Sequence, residues 1–244
     1  IQNDIQKSMS KRIEGLFLRA TKIKHNSIIV DLLTRQYGRS TFVFTISTKK
    51  NQAFLFQPFH FIEFSAAYNP EKKVNRANNV EMKFPIIDIL SDIRKTGYAL
   101  LLTEILNKVF YTEEKNEKLF VELEKMIISF EHRPFNAVFG IFFIKEILTH
   151  FGTQPLNNFG VETPYFSLSE GKFTNNFDPN IEENFPHQLL NKLLGTNIDN
   201  IFLFKINSTN RRLIMDLFLR YMSYHEILNT DKLNSIKILQ SLYD

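Results

Sequence analysis

The sequence predicts an α+β protein of two domains. A closed five-stranded β-barrel is expected over residues 11–85 and a mostly α-helical domain over residues 86–244, with residues 1–10 as a tail or upstream extension. Three observations carry that prediction. Short β-branched and aromatic stretches recur between polar turns as far as Phe84. After Pro85 the hydrophobic period changes from that of a strand to that of a helix. Charge changes sign at the same place: residues 1–85 hold 14 Lys/Arg against 6 Asp/Glu and residues 86–244 hold 16 against 20, so a total of +4 divides into +8 and −4.

The strands are expected at 13–20, 27–34, 41–47, 54–68 and 74–84. Alternation is clearest in Phe42, Phe44 and Ile46 and in Phe59, Phe61, Ile62 and Phe64, where every second side chain faces a core. Turn signals fall between them at Lys24-His25-Asn26, Tyr37-Gly38-Arg39, Lys49-Lys50-Asn51-Gln52 and Asn69-Pro70-Glu71-Lys72. Five short strands in about 75 residues suit a small closed barrel, of which the OB-fold is the common nucleic-acid-binding example.

Helices are expected at 91–111, with Ile93, Leu100, Leu101, Ile105 and Val109, and at 117–131, with Leu119, Phe120, Leu123, Met126, Ile127 and Phe130 on one face. The next, 134–151, starts at a proline suited to a first turn. It is apolar nearly all round through 137–144, as the centre of a helical bundle would be, and ends at Gly152. A loop-rich stretch with Gly160, Pro164, Gly171 and Pro179 runs over 152–184. Helices follow at 186–194, 208–228 and 231–243.

Composition excludes several classes. With 43% hydrophobic residues and only 8 Gly and 8 Pro, the chain is neither collagenous nor disordered. No cysteine is present, which removes disulfides, thiolate nucleophiles and Cys-ligated zinc or iron–sulfur sites. The longest apolar run, 137–144, is far shorter than the roughly 20 residues that span a bilayer. Residues 1–8 lack a signal-peptide core and Met9 is a possible natural start, so a reducing cytoplasm is the simplest location. No phosphate-cradling glycine loop and no nucleophile elbow occurs. The six histidines are scattered, and His225-Glu226 lacks the second histidine of a zincin helix. Glu113-Glu114, Glu122 with Glu124 and Glu182-Glu183 read as solvated faces or loops, and His150 as a helix-end cap. No enzyme, metal or cofactor is expected.

The basic barrel remains. Arg19, Lys22, Lys24, Arg35, Arg39, Lys49, Lys50 and Arg76 are the candidate DNA-binding residues, because cations at strand ends and loop tips track a phosphate backbone without reading bases. Arg12, Lys72 and Lys73 flank the same strands and loops. Most of the 25 Phe must fill the core; Tyr37 and Tyr68, beside turns and cations, are the better candidates for stacking on a base.

The order of short motifs supplies a resemblance. Gly15-Leu16-Phe17-Leu18-Arg19 is followed by Ile29-Val30-x-Leu32-x-Thr34 ending at Gly38, by Leu55-Phe56-Gln57-Pro58, by Asp92-Ile93-Arg94-Lys95 and by Glu104-Ile105-Leu106. Then come Phe151-Gly152-x-x-Pro155, Tyr165-Phe166-x-Leu168-x-Glu170-Gly171-x-Phe173, Leu219-x-Tyr221 with His225, and Ser235-Ile236-x-Ile238-Leu239. Together, from about Lys11 onward, they resemble the RecO family of bacterial DNA repair and recombination mediators. The resemblance implies an N-terminal OB-fold before a mostly helical domain. It also implies a non-catalytic protein that binds single- and double-stranded DNA and anneals complementary strands. The implied partners are RecR and the single-strand-binding protein SSB, with a functional link to RecA loading at gaps in the bacterial nucleoid and RecF left open. SSB's acidic, Phe-ended tail would dock on the helical domain; Arg94, Lys95, Arg133, Arg211, Arg212 and Arg220 are candidate cations among which the sequence makes no choice.

One departure from the family pattern matters. Many RecO proteins carry a four-cysteine zinc site after the Gly-x-x-Pro element, whereas 156–171 has no Cys here. Zinc is therefore not carried over. The loop is expected to be held by packing of Phe159, Tyr165, Phe166 and Phe173, as in a zinc-free, Bacteroidetes-like branch. The short loop after the third strand leaves Lys49 and Lys50 as its cations. Two other readings stay open at this point: a protein-interaction adaptor whose barrel binds no DNA, and a metal-dependent nucleic-acid enzyme.

Overall fold

One long strand organises the barrel. The computed structural model describes residues 10–24, 26–46, 52–111 and 114–236. In it β1 (Lys11–Lys24) pairs through Lys11–Leu16 with β4 (Phe61–Ala66) and through Gly15–Lys24 with β2 (Ser27–Thr34), both antiparallel. Two register shifts, at Phe17/Arg19 and Lys22/Lys24, mark bulges that bend the strand. Gly15 belongs to both pairings, and a Cβ there would lie 3.2 Å from the Leu32 side chain, so a bare backbone lets β1 turn tightly from one neighbour to the other. With β3 (Gly38–Thr45) and β5 (Asn75–Met82) the sheet closes in the order β1-β2-β3-β5-β4. Only β3 and β5 run parallel, over Phe42↔Asn75 to Phe44↔Ala77.

The barrel interior is the alternating apolar set. Ile13, Val30, Leu32, Phe42, Phe44, Ile62 and Phe64 are buried together, with the Phe42 and Phe64 rings edge to face at 4.7 Å. The expected fourth strand, 54–68, is shortened. Gln52–Leu55 form a 3-10 turn, further turns bond Phe56 N–H to the Ala53 carbonyl and His60 N–H to that of Gln57, and pairing begins only at Phe61. Pro58 has no N–H to give a ladder, and Phe59 has φ +65°, outside strand geometry. Phe56 still reaches the core, which is why the sequence pattern resembles a strand.

The chain divides into two compact units, Ile1–Ile127 and Ile128–Asp244. The first adds to the barrel α1 (Asp88–Ser91), α2 (Ile93–Val109) and the start of α3 (Glu117–His132). The Asp92 carboxylate accepts the Arg94 N–H at 2.9 Å and caps α2. The hydrogen bond and charge of Arg94 hold its pKa down to about 2. Asn116 caps α3 in the same way, accepting from Leu119 N–H.

The second unit centres on α4 (Val138–His150), whose residues Val138 to Lys145 are all buried and which touches α5 (His187–Leu194), α6 (Ile198–Ile201) and α7 (Ser208–Tyr224). Asn136 sets its start. Its side-chain Oδ1 accepts Val138 N–H at 2.9 Å, while its Nδ2 donates to the carbonyls of Ile201, Phe202 and Phe204 at the exit of α6. Within the stretch expected to be loop-rich, β6 (Tyr165–Ser167) and β7 (Lys172–Thr174) form a short antiparallel hairpin with Phe166 opposite Phe173. The helix expected at 231–243 lies mostly outside the described residues; a 3-10 turn, Thr230–Lys232, stands at its start.

Candidate nucleic-acid interface

The barrel has two faces of opposite electrostatic character. Strand register places Thr21, Ile29, Val43 and Arg76 in one row across β1, β2, β3 and β5, and Arg19, Asp31 and Thr41 in the next. Alternation directs these side chains outward, opposite the inward Phe42, Phe44 and Ala77. Arg76 is exposed and has no ion-pair partner among the described residues, and the same holds for Lys22 near the end of β1 and for Lys72 and Lys73 in the loop before β5. That loop is pinned rather than slack. Buried Asn75 accepts the Asn69 N–H at 2.8 Å and donates back to the Asn69 carbonyl, so the lysines sit on a fixed turn.

Around β1, β4 and β5 the outer face is acidic and paired. Arg12 binds Glu63 and Glu81, the latter at 2.6 Å. Arg35 binds Glu14 at 3.4 Å and Glu117 of α3 at 2.9 Å, and Lys83 binds Glu14 at 2.5 Å and Glu124 of α3. Burial pushes the Glu14 pKa up, but the hydrogen bond and charge of Lys83, together with Arg35, outweigh it and hold the carboxyl below its ordinary range.

Arg39 has a third environment. Its side chain is only 18% exposed, and its guanidinium donates to the carbonyls of Asn107 (2.5 Å) and Phe110 (2.6 Å), to Asn107 Oδ1 (2.9 Å) and to Asp31 (3.2 Å). It satisfies the orphan carbonyls at the C-terminus of α2, where a cation also meets the negative end of the helix dipole. Asp31 in turn accepts from Arg19 at 3.1 Å and Thr41 at 2.8 Å.

Of the eight candidate cations, then, the structure places Arg19 and Arg76 on one outer face, leaves Lys22 exposed near the end of β1 in the row of Ile28 and Phe44, and ties Arg35 and Arg39 to acceptors of the protein. Lys49 and Lys50 lie outside the described residues, as do His25 and the tail 1–9, and Lys24 is described in its backbone alone. Tyr37 and Tyr68 stack on each other at 3.9 Å and pack against the core. Lys72 and Lys73 are legible in the sequence as loop cations flanking the barrel; that their loop is pinned is not, since nothing local to Pro70 to Val74 says so.

The segment 156–171, for which the family resemblance raises the question of zinc, holds no sulfur ligand, and no cluster of potential metal ligands occurs among the described residues. Polar staples occupy it instead. Asn158 bridges the N–H and carbonyl of Phe173 at 2.8 Å each, Asp178 accepts the Leu168 N–H at 2.8 Å, and the Tyr221 hydroxyl donates to the Thr153 carbonyl at 2.9 Å. His187 Nδ1 accepts the Phe166 N–H at 3.0 Å, which requires that nitrogen unprotonated, and burial lowers the imidazole pKa in the same sense. The residues present do not fit a zinc ion.

A family model described as the N-terminal region of recombination protein O matches residues 9–85, and one for its C-terminal region matches residues 90–226. The chain belongs to the RecO family. Its relatives include the DNA repair protein RecO of Flavobacterium psychrophilum, 27% identical over 96% of this chain and all of the relative. Those of Bacteroides fragilis (27%, 97% of this chain) and Flavobacterium johnsoniae (26%, 96%) are also matched over their full length. As a RecO-family protein the chain belongs to DNA repair and recombination, in a family of non-catalytic mediators. No helix among the described residues is long and apolar enough to cross a membrane.

Proposed function

We propose that this chain binds single- and double-stranded DNA through the outer face of its barrel and anneals complementary strands, acting with RecR to load RecA onto SSB-covered gaps in the bacterial cytoplasm. The observation that carries this reading is the set of exposed cations of the barrel: Arg19 and Arg76 on an outer face whose other described residues are Thr21, Ile29, Asp31, Thr41, Val43 and Thr45, with Lys72 and Lys73 on the turn before β5 and Lys22 near the end of β1. Cations neutralise phosphates, hydroxyls hydrogen-bond them, and no aromatic ring of the described face takes hold of a base. Annealing needs that combination: repulsion between strands falls while the bases stay available for pairing. Lys24, Lys49 and Lys50 stay candidates by their place in the sequence. Arg35 and Arg39 act in the scaffold.

Changing Lys22, Lys72, Lys73 and Arg76 together to Glu is expected to weaken oligonucleotide binding at least about 100-fold at moderate salt. The log–log salt slope should flatten by about 0.7 for each phosphate of the single strand that the variant no longer neutralises. Circular dichroism should be unchanged. Fluorescence anisotropy across a salt series measures both, and unaltered affinity refutes the reading. Appearance of Mg²⁺-dependent cleavage products would favour the enzyme instead.

For the SSB tail, the second unit offers a pocket of about 280 Å³ lined by Phe135, Ala137, Val138, Phe204 and Ile206, with Lys205 and Arg211 among its walls. A terminal phenyl ring suits the apolar lining and a carboxylate suits the cations. Val138→Glu is expected to reduce binding of an acidic, Phe-ended peptide at least tenfold by calorimetry while DNA affinity holds; equal peptide binding by the two proteins removes this pocket from consideration.

A further inference from the structure

We propose that Asp31 is a built-in competitor for the phosphate backbone, holding Arg19 back and setting the DNA affinity of the barrel face below what its cations alone would give. This rests on the DNA-binding reading above. Asp31 lies in the outward row between Arg19 of β1 and Thr41 of β3, one step from the row that ends in Arg76. Its side chain is only 8% exposed and is fixed from the protein side: Thr41 donates to one oxygen at 2.8 Å and Arg39 to the other at 3.2 Å. Arg39 is itself locked by the α2 carbonyls. The carboxylate therefore does not move aside.

Arg19 is its mobile partner. It is 63% exposed and reaches the Asp31 oxygen through a single 3.1 Å contact. An ion pair so open to solvent is weak and exchangeable. A phosphate arriving at Arg19 must displace Asp31 and then lie beside an anion that stays where it is. Such a face binds strands weakly enough to let them go, which a protein that pairs strands requires. Arg76, in the next row, has no anion opposing it among the described residues.

Four variants test this by anisotropy with a labelled single-stranded oligonucleotide. Asp31→Asn keeps the shape and an acceptor for Thr41. It should tighten binding about fourfold at low salt, the factor for removing one unit charge at about 5 Å in a high-dielectric surface. It should also steepen the salt slope by about 0.7, because Arg19 then takes a phosphate of its own. In an Arg19→Ala background the gain should shrink below twofold. Arg19→Ala alone, at an exposed position that does not threaten folding, should cost less than twofold, against about fivefold for Arg76→Ala. Binding by folded Asp31→Asn no tighter than wild type overturns the proposal, as does an Arg19→Ala loss equal to that of Arg76→Ala. The latter comparison stands even where Asp31→Asn fails to fold. Absence of salt-dependent binding by the unaltered protein fails the DNA reading itself and this proposal with it. Binding that the fourfold charge reversal abolishes but Asp31→Asn leaves unchanged fails this proposal alone.

Discussion

Arg39→Ala is expected to lower the unfolding free energy by about 3 kcal/mol while the folded variant binds single-stranded DNA within twofold of the unaltered protein. The magnitude follows from what the guanidinium leaves behind. Two α2 carbonyls lose charge-assisted hydrogen bonds of 2.5 and 2.6 Å, and the nearly covered Asp31 loses the cation that faces it from the protein side. Hydrogen bonds involving a charged group contribute about 1.5–3 kcal/mol, and an acceptor left buried without its partner costs about as much again, offset in part by water entering the vacated space. Arg76→Ala is the counterpart. It removes an exposed side chain and should change stability by less than about 0.5 kcal/mol, with its effect falling on DNA affinity. Urea unfolding midpoints and anisotropy on the same two proteins separate the roles. Equal losses of DNA affinity for the two would return Arg39 to the phosphate-binding set.

The contrast between these two arginines shows where the sequence was legible. Strand positions were, because alternation is local: Phe42 and Phe44 face inward and Val43 faces outward, as their spacing required. The barrel's closure was not visible as such, since it depends on Gly15 serving two pairings at once. Residues 54–60 misled because an apolar run with a buried Phe56 looks like a strand until Pro58 and the positive φ of Phe59 are weighed. The hairpin at Tyr165–Thr174 has strands of three residues, too short for any period to declare itself. Charge was legible only as a sum. Partners of Arg12, Arg39 and Arg35 lie as far as 69, 71 and 82 residues away, so no local pattern separates a cation that knits the scaffold from one that faces solvent. The pocket proposed for the SSB tail is hidden for the same reason, joining Phe135 to Val138 with Phe204 to Arg211.

Gly171→Ala is expected to destabilise the hairpin and the helix beneath it by about 3 kcal/mol, and Tyr221→Phe to add almost nothing to that loss in the double variant. Gly171 has φ +64°, a conformation that costs an L-residue about 1–2 kcal/mol. A Cβ there would stand 2.6 Å from the Tyr221 hydroxyl, closer than atoms approach, so the ring must move. Movement breaks the hydroxyl's bond to the Thr153 carbonyl and disturbs the packing of Tyr221 against Phe166 and His225. Tyr221→Phe alone should cost about 1 kcal/mol, the usual net value of one such hydrogen bond. With the hydroxyl gone the nearest ring carbons lie 3.3 Å from the new methyl, tight but tolerable after a shift of a few tenths of an ångström. The double variant should thus be less destabilised than the two single losses together, by about 1 kcal/mol, because neighbours that share one obstruction are not additive. Additive losses in urea unfolding would mean that backbone strain at Gly171, not the contact with α7, makes the glycine necessary. A coupled result would identify Tyr221 as the residue through which α7 holds this cysteine-free hairpin.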